Sequence, residues 1–363
     1  MPYFLSSLIS TCASFLPSFI SSLKELVLGL LVVEATIKLS TKFNIFDYQD
    51  SRKIHSGNVS RLGGVGIAIS FFICTVAYIL LTDSSLFFTY LPIISAGLII
   101  FVFGLIDDIH TLRAIIKLLV QIIATSFVIF SGNRFKQIGP FELPLIISYV
   151  LTFCWIIGVI NAFNLIDGLD GLCGSLSFTT ILTLGIIYTL SSNNVAVICF
   201  ILAASILGFL CFNWPPAKLF MGDCGSQFLG FMIATIPLIP SDNVIEFNKF
   251  LIIVSLAAFP IFDTIAAIWR RIRDKRPIMS PDKSHLHHKL LNLGYTKPGT
   301  LYLVVFIQLL LCSLVIISYL LGTYKGMMVL LLTLFFVTLF FTFIHYTNQA
   351  ILKRKGMEES EQQ

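Results

Sequence analysis

Carboxylate and amide side chains lie next to apolar segments at three places in the sequence. The stretch GLIDDIH carries two adjacent aspartates, Asp107 and Asp108. The stretch FMGDCGS carries Asp223. The stretch NAFNLIDGLDGL carries amides and carboxylates at steps of three residues, namely Asn161, Asn164, Asp167 and Asp170. Such oxygens are hard ligands that suit Mg²⁺, whose sites combine a few protein groups with substrate phosphates. The pattern therefore predicts a site for a magnesium-bound diphosphate.

The spacing within each stretch limits what its members can do together. Adjacent residues of a helix point about 100° apart, so Asp107 and Asp108 are expected to have different targets. In the longer stretch, neighbouring polar side chains face together, while Gly168 and Gly171 let the chain leave the helix and wrap around a small anion. Simpler alternatives stay open. The two adjacent aspartates could be interfacial charges that end a helix, and Asp223 could be an N-terminal cap.

Basic residues and histidines accompany these stretches. Arg113 and Lys117 are four residues apart and so lie on one helix face. Lys53 and Arg61 precede a Gly-Gly pair. The segment WRRIRDKRPIMSPDKSHLHHKL combines a run of cations at its start with three histidines near its end, and the candidate residues are Arg270, Arg271, Arg273, Lys275, Arg276, His285, His287 and His288. The pattern HxHH lacks the cysteine or carboxylate partners of a zinc site, so we expect a phosphate clamp. Simple anchoring at the inner membrane surface is the alternative for the cations.

Membrane-spanning helices must position these residues. The chain has 363 residues, of which 56% are hydrophobic and 12% are charged, whereas soluble proteins carry about 25% charged residues. A span needs roughly 20 apolar residues. The sequence therefore predicts an all-α polytopic membrane protein with eleven spans, near residues 22–40, 64–82, 91–106, 113–131, 144–163, 172–190, 194–212, 225–240, 248–268, 299–321 and 326–346. Residues 131–142 are predicted to form a short hairpin outside the membrane.

Three more candidate residues lie at or near the ends of predicted spans. Asn213 and Phe220 lie at and after the end of the seventh predicted span. An amide and an aromatic ring together could hold a flat base. Asp263 lies near the inner end of the ninth predicted span and is expected to support other site residues at most.

The distribution of lysine and arginine predicts the orientation. With the N-terminus outside, 19 of the 24 cations lie on the cytoplasmic side, which is the positive-inside bias. The polar stretches then fall into the inner loops 41–63, 107–112, 164–171, 213–224 and 269–298. We expect residues 1–348 to form one transmembrane catalytic domain with a cytoplasmic active site, followed by a polar cytoplasmic tail at 349–363.

The motifs GLIDDIH, NAFNLIDGLDGL, FMGDCGS and DKSHLHH, in this order, resemble those of the polyprenyl-phosphate N-acetylhexosamine-1-phosphate transferases, the family of MraY, WecA and TagO. The resemblance covers the chain to about residue 346. It implies that an oxygen of polyprenyl (undecaprenyl) phosphate attacks the β-phosphorus of a UDP-N-acetylhexosamine. The products are polyprenyl-diphosphate-sugar and UMP, which starts a cell-surface polysaccharide. Mg²⁺ is implied, with Mn²⁺ as an alternative, in a multi-pass enzyme of the plasma membrane. A homodimer stays open, and no nucleic-acid partner is expected.

Carried over residue by residue, the resemblance also implies roles. Asp223 and Asn164 would bind the metal. Asp107 and Asp108 would lie by the lipid phosphate, one of them as a base if a phosphate that is already ionised needs one. Four further residues would serve catalysis: Asp167, His285, His287 and His288. Nine would bind substrate: Lys53, Arg61, Lys117, Asn161, Asp170, Asn213, Phe220, Arg270 and Arg271.

The branch within the family decides the donor. The runs RKIH and RLGG, together with HLHH, are similar to the WecA/TagO branch, which uses UDP-GlcNAc or a close relative. The stretch Asp47-Tyr48-Gln49 departs from the family's Asp-x-Pro, so the first inner loop is the weakest match. The MraY type, which uses UDP-MurNAc-pentapeptide, is one alternative. A transporter is the other, but transporters place ion sites near the bilayer midplane, whereas these acids gather at one face.

Overall fold

A computed structural model of the chain describes residues 60–82, 86–277 and 285–361. Its elements are numbered here along those residues. The helices are α1 (Gly63–Thr82), α2 (Leu86–Ile109), α3 (Ala114–Phe130), α4 (Leu145–Ile166), α5 (Leu172–Leu190), α6 (Val195–Asn213), α7 (Gly222–Thr235), α8 (Asn243–Leu256), α9 (Ala258–Arg273), α10 (Leu286–Asn292), α11 (Lys297–Leu320) and α12 (Thr323–Glu361). The first predicted span, 22–40, lies outside the described residues.

Helix α7 forms the centre of the bundle. Every residue from Cys224 to Thr235 is buried, and the helix packs against α1, α2 and α4. A 3₁₀ turn, Ile236–Leu238, continues it towards the far end. Because glycines begin α1 and α7, the two backbones approach closely: a Cβ on Gly64 would lie 2.2 Å from the nitrogen of Gly225. The start of α7 is therefore enclosed by its neighbours.

The predicted hairpin is confirmed. It precedes α4, whereas Asp167 and Asp170 follow the other end of that helix. Strand β1 (Gln137–Ile138) pairs antiparallel with β2 (Phe141–Glu142). Gly139 makes the turn with φ +56°, a backbone conformation that glycine adopts without steric cost. Its N–H donates to the carbonyl of Phe247 at 3.1 Å, which ties the hairpin to α8.

The ninth predicted span, 248–268, is not one helix. It consists of α8 and α9, which are bent by 68° relative to each other at Ala257. The cause is Pro260, which has no N–H to donate to the carbonyl four residues earlier and whose ring crowds that carbonyl. The prediction of one continuous helix over 248–268 was wrong, because Pro260 interrupts the hydrogen-bond pattern of the helix.

Two segments that follow α9 contain helix within the regions predicted as inner loop and polar tail. Helix α10 lies within the predicted inner loop 269–298, carries His287 and His288, and directly follows His285. Helix α12 continues to Glu361, past the predicted boundary at residue 348. A helix of this length continues beyond its apolar part because Lys353 and Arg354, like other long side chains, are good helix formers.

Membrane character is evident in the lengths of the helices. Within the described residues, seven helices are long and apolar enough to cross a membrane, or eight if the bent pair α8–α9 is one span. Helix α3, with 17 residues, and α7, with 14, are shorter. The protein is thus an all-α polytopic membrane protein. The count of eleven spans and the orientation stay predictions.

Candidate active site

Four predicted site residues from four helices meet at one end of the bundle. The Lys117 ammonium, on α3, pairs with the carboxylate of Asp107 at the end of α2. It also donates to Oδ2 of Asp223, on α7, at 2.8 Å. The Asn164 amide, in the last turn of α4, donates to Oδ1 of the same aspartate at 3.1 Å. Asp223 is thus the common partner of a lysine and an amide that lie 106 and 59 residues away along the chain.

Asp108 has a different target from Asp107, as the angle between adjacent helical residues predicts. Its two oxygens accept the backbone N–H groups of Asp223 at 2.8 Å and Cys224 at 2.9 Å. It therefore caps α7, whose first N–H groups have no partner within the helix. The alternative that Asp223 is the cap was wrong: Asp223 lies in the first turn, and its side chain points to Lys117 and Asn164.

A tight turn before α7 makes this cap possible. Gly222 has φ +74°, and a Cβ there would lie 2.3 Å from the Arg61 carbonyl and 2.7 Å from the Asp108 carboxylate. Only glycine fits such an approach in that conformation. Ser226 was not predicted as a site residue, although its hydroxyl accepts a second hydrogen bond from Asn164 at 3.0 Å. Its position three residues after Asp223, one helical turn on, was the available signal.

Asp167 and Asp170 lie in the short connection between α4 and α5. Burial and the neighbouring carboxylates of Asp223 and Asp108 raise the pKa of Asp167 to about 7, against the opposing charge of Arg61. Asp170 accepts the backbone N–H of Ala217 at 3.2 Å. Asp170 thus ties its loop to the loop before α7. Asp167 lies within the electrostatic reach of the Asp223 cluster, which consists of Asp107, Lys117, Asn164 and Asp223.

Asn213 joins two loops. Its Oδ1 accepts the N–H of Gly171 at 2.9 Å, and its Nδ2 donates to the carbonyl of Leu219 at 2.7 Å. The residue is buried, so binding a base would require it to give up these bonds. Phe220 is half-buried next to it, and its backbone pairs with Ser60 and Gly63. The structure gives Asn213 a positioning role, and its predicted contact with a base stays a prediction.

One histidine, His285, is held by a carboxylate on α9. Oδ2 of Asp263 lies 2.8 Å from Nδ1 of His285, and Oδ1 accepts the N–H of Leu286 at 2.8 Å. Asp263 is 2% exposed. It fixes the ring of His285 and caps the first turn of α10. The expectation that this aspartate supports other residues is in agreement with these contacts.

His287 lies against the loop that carries Asp167. A Cβ on Gly168 would lie 2.8 and 2.9 Å from Cε1 and Nε2 of His287. Burial, together with the nearby ring of His288, lowers the pKa of His287 to about 4. Its Nδ1 is buried and has no hydrogen-bond partner among the described residues. The ring of His287 packs parallel to that of His285, with centroids 6.0 Å apart.

The remaining predicted site residues lie near the Asp223 cluster, near the histidines, or away from both. Arg271 is buried and Arg270 half-buried at the end of α9, while Arg113 is exposed. Asn161 is not joined to the Asp223 cluster; it donates to Oε1 of Gln121 at 2.8 Å. Lys53 lies outside the described residues.

The arrangement is compatible with a bound Mg²⁺. Among the described residues, no three His, Cys, Asp or Glu side chains form a metal-binding group on their own, but Mg²⁺ needs only one or two carboxylates plus water and phosphate. Asp107 and Asp223 already converge on one positive charge, the Lys117 ammonium. The Asp223 carboxylate and the amide oxygen of Asn164 are hard donors of the kind the ion prefers, so the residues present fit it.

Comparisons with known proteins agree on one family. Residues 90–241 match the family described as Glycosyl transferase family 4. A protein of Bacillus subtilis named probable undecaprenyl-phosphate N-acetylglucosaminyl 1-phosphate transferase is 35% identical over 296 residues, 77% of this chain and 80% of that protein. A decaprenyl-phosphate N-acetylglucosaminephosphotransferase of Mycolicibacterium smegmatis is 31% identical over 73% of each chain. An undecaprenyl-phosphate alpha-N-acetylglucosaminyl 1-phosphate transferase of Escherichia coli K12 is 28% identical over 77% of this chain and 78% of that protein.

Proposed function

This chain belongs to the polyprenyl-phosphate N-acetylhexosamine-1-phosphate transferase family, and from that membership we propose that it transfers N-acetylglucosamine 1-phosphate from UDP-GlcNAc to a polyprenyl phosphate at the Asp223 cluster. An oxygen of the lipid phosphate forms a bond to the β-phosphorus of the donor. The bond from that phosphorus to the bridging oxygen breaks, and UMP leaves with the bonding electrons. The observation that carries this proposal is the convergence of Asp107, Lys117, Asn164 and Asp223 at one end of the bundle.

The cluster suits a reaction between two phosphates because it places a lysine beside the side chains that would bind Mg²⁺. Lys117 is the cation that attracts and orients the lipid phosphate. Asp223 and Asn164 would hold Mg²⁺, which neutralises charge on the transferring phosphoryl group. In such transfers, positioning and electrostatic stabilisation supply most of the rate enhancement.

Neither adjacent aspartate needs to act as a base. A phosphate monoester is already ionised near neutral pH, because its second pKa is about 6. The two oxygens of Asp108 hold the N–H groups of α7, and Asp107 holds Lys117 and the N–H of Leu112. We assign both residues to positioning: Asp107 orients the lysine, and Asp108 orients the turn that carries Asp223.

The histidines and the aspartate that holds His285 suit the binding of the donor, UDP-GlcNAc. Asp263 holds His285 through Nδ1, so that Nε2 is the ring nitrogen left to contact a ligand. Arg270 and Arg271, near the end of the helix that carries Asp263, add positive charge for the diphosphate. Asp167 and Asp170 would line the nucleotide side of the same cleft.

We assign the cluster to the cytoplasmic face of the plasma membrane. The support is the positive-inside bias, since 19 of 24 lysines and arginines fall on the side of the site loops if the N-terminus is outside. That topology has eleven spans and a cytoplasmic C-terminus. UDP-sugars and Mg²⁺ are available on that side, while the lipid phosphate arrives from the membrane.

One assay tests the function and separates its alternatives. Full-length protein in membranes receives labelled UDP-GlcNAc and polyprenyl phosphate, and UMP release is measured with Mg²⁺, with Mn²⁺ and with a chelator. We expect release with UDP-GlcNAc that stops on chelation and returns with the metal. Release with UDP-MurNAc-pentapeptide alone would assign the chain to the MraY branch. Absence of release with every donor would contradict the transferase and favour the transporter.

A further inference from the structure

The bend between α8 and α9 leaves one backbone carbonyl without its helical partner. In a continuous helix, the carbonyl of Leu256 would accept the N–H of residue 260, but that residue is Pro260. The carbonyl lies inside the bundle, since Leu256 is 1% exposed. In a membrane protein such a group has no water to bind, so another donor must satisfy it.

Two side chains from other helices supply the donors. Nε2 of Gln308, on α11, donates to the Leu256 carbonyl at 2.8 Å, and Oγ1 of Thr180, on α5, donates to it at 3.1 Å. Nε2 of Gln308 also lies 3.2 Å from the Thr180 hydroxyl. Both side chains are buried. We call Thr180, Gln308 and the Leu256 carbonyl the bend clamp.

The bend decides where α9 directs its polar residues. Asp263 lies three residues after Pro260 and holds both the ring of His285 and the first N–H of α10. Within the described residues, the 68° turn between α8 and α9 is therefore connected to His285 and the start of α10 through one carboxylate. If α8 and α9 formed a straighter helix, Asp263 would move away from α10.

We propose that Thr180 and Gln308 are positioning residues of the transferase, which hold the bend at Leu256 and thereby keep Asp263 and His285 in register with the Asp223 cluster. This inference rests on the proposed function. The pair touches no substrate and acts through the angle of α9. Helix packing alone does not explain the pair, because both side chains donate to the one carbonyl that the proline has freed.

The first experiment removes the donors without changing side-chain size. Thr180→Val and Gln308→Met are combined in the full-length protein, and Thr183→Val serves as the matched control. Thr183 lies on the same helix and is also buried, but its hydroxyl bonds the carbonyl of Thr179 within that helix. We expect kcat to fall about 10-fold or more in the double variant, since small displacements of reacting groups have effects of this size, with little change in KM for UDP-GlcNAc. The control should keep its kcat.

The second measurement reports on the angle of α9 without using activity. Spin labels are placed at Trp269 on α9 and Ile146 on α4, which are 66% and 76% exposed, in a background without the exposed cysteines Cys154 and Cys211. We expect the distance distribution between the labels to broaden or shift in the double variant and to stay unchanged in the Thr183→Val control.

A third variant supplies the Leu256 carbonyl with a backbone donor instead of removing its side-chain donors. Pro260→Ala restores an N–H that can donate to the Leu256 carbonyl, so the helix gains a hydrogen bond and can straighten. We expect the label distance to shift and kcat to fall while the melting temperature does not drop. A merely structural role for the clamp would not produce an equally stable but less active protein.

The outcomes separate this inference from the proposed function. Unchanged label distances in the double variant and in Pro260→Ala would overturn the inference, even if the wild type is a transferase. The same holds if kcat falls only as much as in Thr183→Val. If the wild type releases no UMP while the label distances shift as expected, the proposed function is overturned and the bend clamp stands as a structural element.

Discussion

Replacing Asp223 by asparagine removes one negative charge from the centre of the candidate site and changes the size of the side chain very little. The carboxylate accepts the Lys117 ammonium at 2.8 Å and the Asn164 amide at 3.1 Å. The variant keeps an oxygen for Asn164 but loses the ion pair and the carboxylate that would hold Mg²⁺. We therefore expect a well-inserted protein with a large loss of turnover.

The size of the loss follows from the contacts. Removing one preorganised electrostatic group at developing charge costs about 2.7–4 kcal/mol, which is about 10²–10³ in rate. The Asp223 side chain is 34% exposed, and solvent screening places the expectation at the lower end, about 10²-fold in kcat. A matching change at Asp274→Asn, whose carboxylate pairs with Arg273 at the exposed end of α9, should leave kcat almost unchanged because exposed pairs contribute about 0–1 kcal/mol.

The measurement is UMP release from UDP-GlcNAc and polyprenyl phosphate over a range of Mg²⁺ concentrations. Asp223→Asn should lower kcat and raise the Mg²⁺ concentration needed for half-maximal rate, whereas Asp274→Asn should do neither. Turnover close to that of the wild type would remove Asp223 from the metal site and refute the reasoning.

A double-mutant cycle with Lys117→Met tests whether the two residues act as one unit. Lysine removal leaves the carboxylates of Asp107 and Asp223 without the cation that lies between them. Groups in direct contact usually couple by about 0.5–3 kcal/mol. The double variant should therefore lose less activity than the two single losses combined, and additive losses would contradict a shared site.

Three other predictions concern the histidine group and the topology. Asp263→Asn should lower kcat by about 10-fold, because the ring of His285 loses its charged partner. For His287, whose pKa falls from 6.5 to about 4, the unfolded chain takes up a proton at a higher pH than the folded protein. Stability should therefore be complete above pH 6.5 and fall by about 2 kcal/mol at pH 5, and His287→Gln should remove this dependence, as followed by melting temperature. A cysteine introduced at Ser284, outside the described residues, should react with a membrane-impermeant reagent from the cytoplasmic side only.

Each of these predictions has its own contrary result. Unchanged kcat in Asp263→Asn would mean that the 2.8 Å contact to His285 has no role in turnover. An equal loss of melting temperature at pH 5 in His287→Gln would assign the acid sensitivity to another group. Reaction of the introduced cysteine only from outside would reverse the proposed orientation.

Much of the candidate site could be predicted because its signals are local. Carboxylates at the ends of apolar segments, such as Asp107 and Asp223, stand out since charge near a membrane span is costly and rarely retained without a use. The hairpin at 131–142 follows from glycine and polar residues between spans. The positions of lysine and arginine along the chain predict the orientation in the membrane without any knowledge of helix packing. For these features, composition and order along the chain are sufficient.

Local sequence patterns do not predict which site residues pair with one another. Asp107 and Asp108 are neighbours in the sequence, yet one pairs with Lys117 and the other caps α7. The distinction depends on which helix packs on each side of α2. Likewise, the donors to the Leu256 carbonyl come from α5 and α11, and no local pattern relates them to Pro260.

By itself, the sequence determined that this is a helical membrane protein with acidic and basic groups at the ends of its apolar segments, because hydrophobic length and charge placement act locally. Only the tertiary structure decided which acid meets which base, that Asp223 is the shared partner and that Asp263 holds His285. The physical reason is that hydrogen bonds and ion pairs form over about 3 Å, while the residues that make them at the site are separated by up to 116 positions in the chain. Helix packing and the bend at Pro260 bring them within that distance.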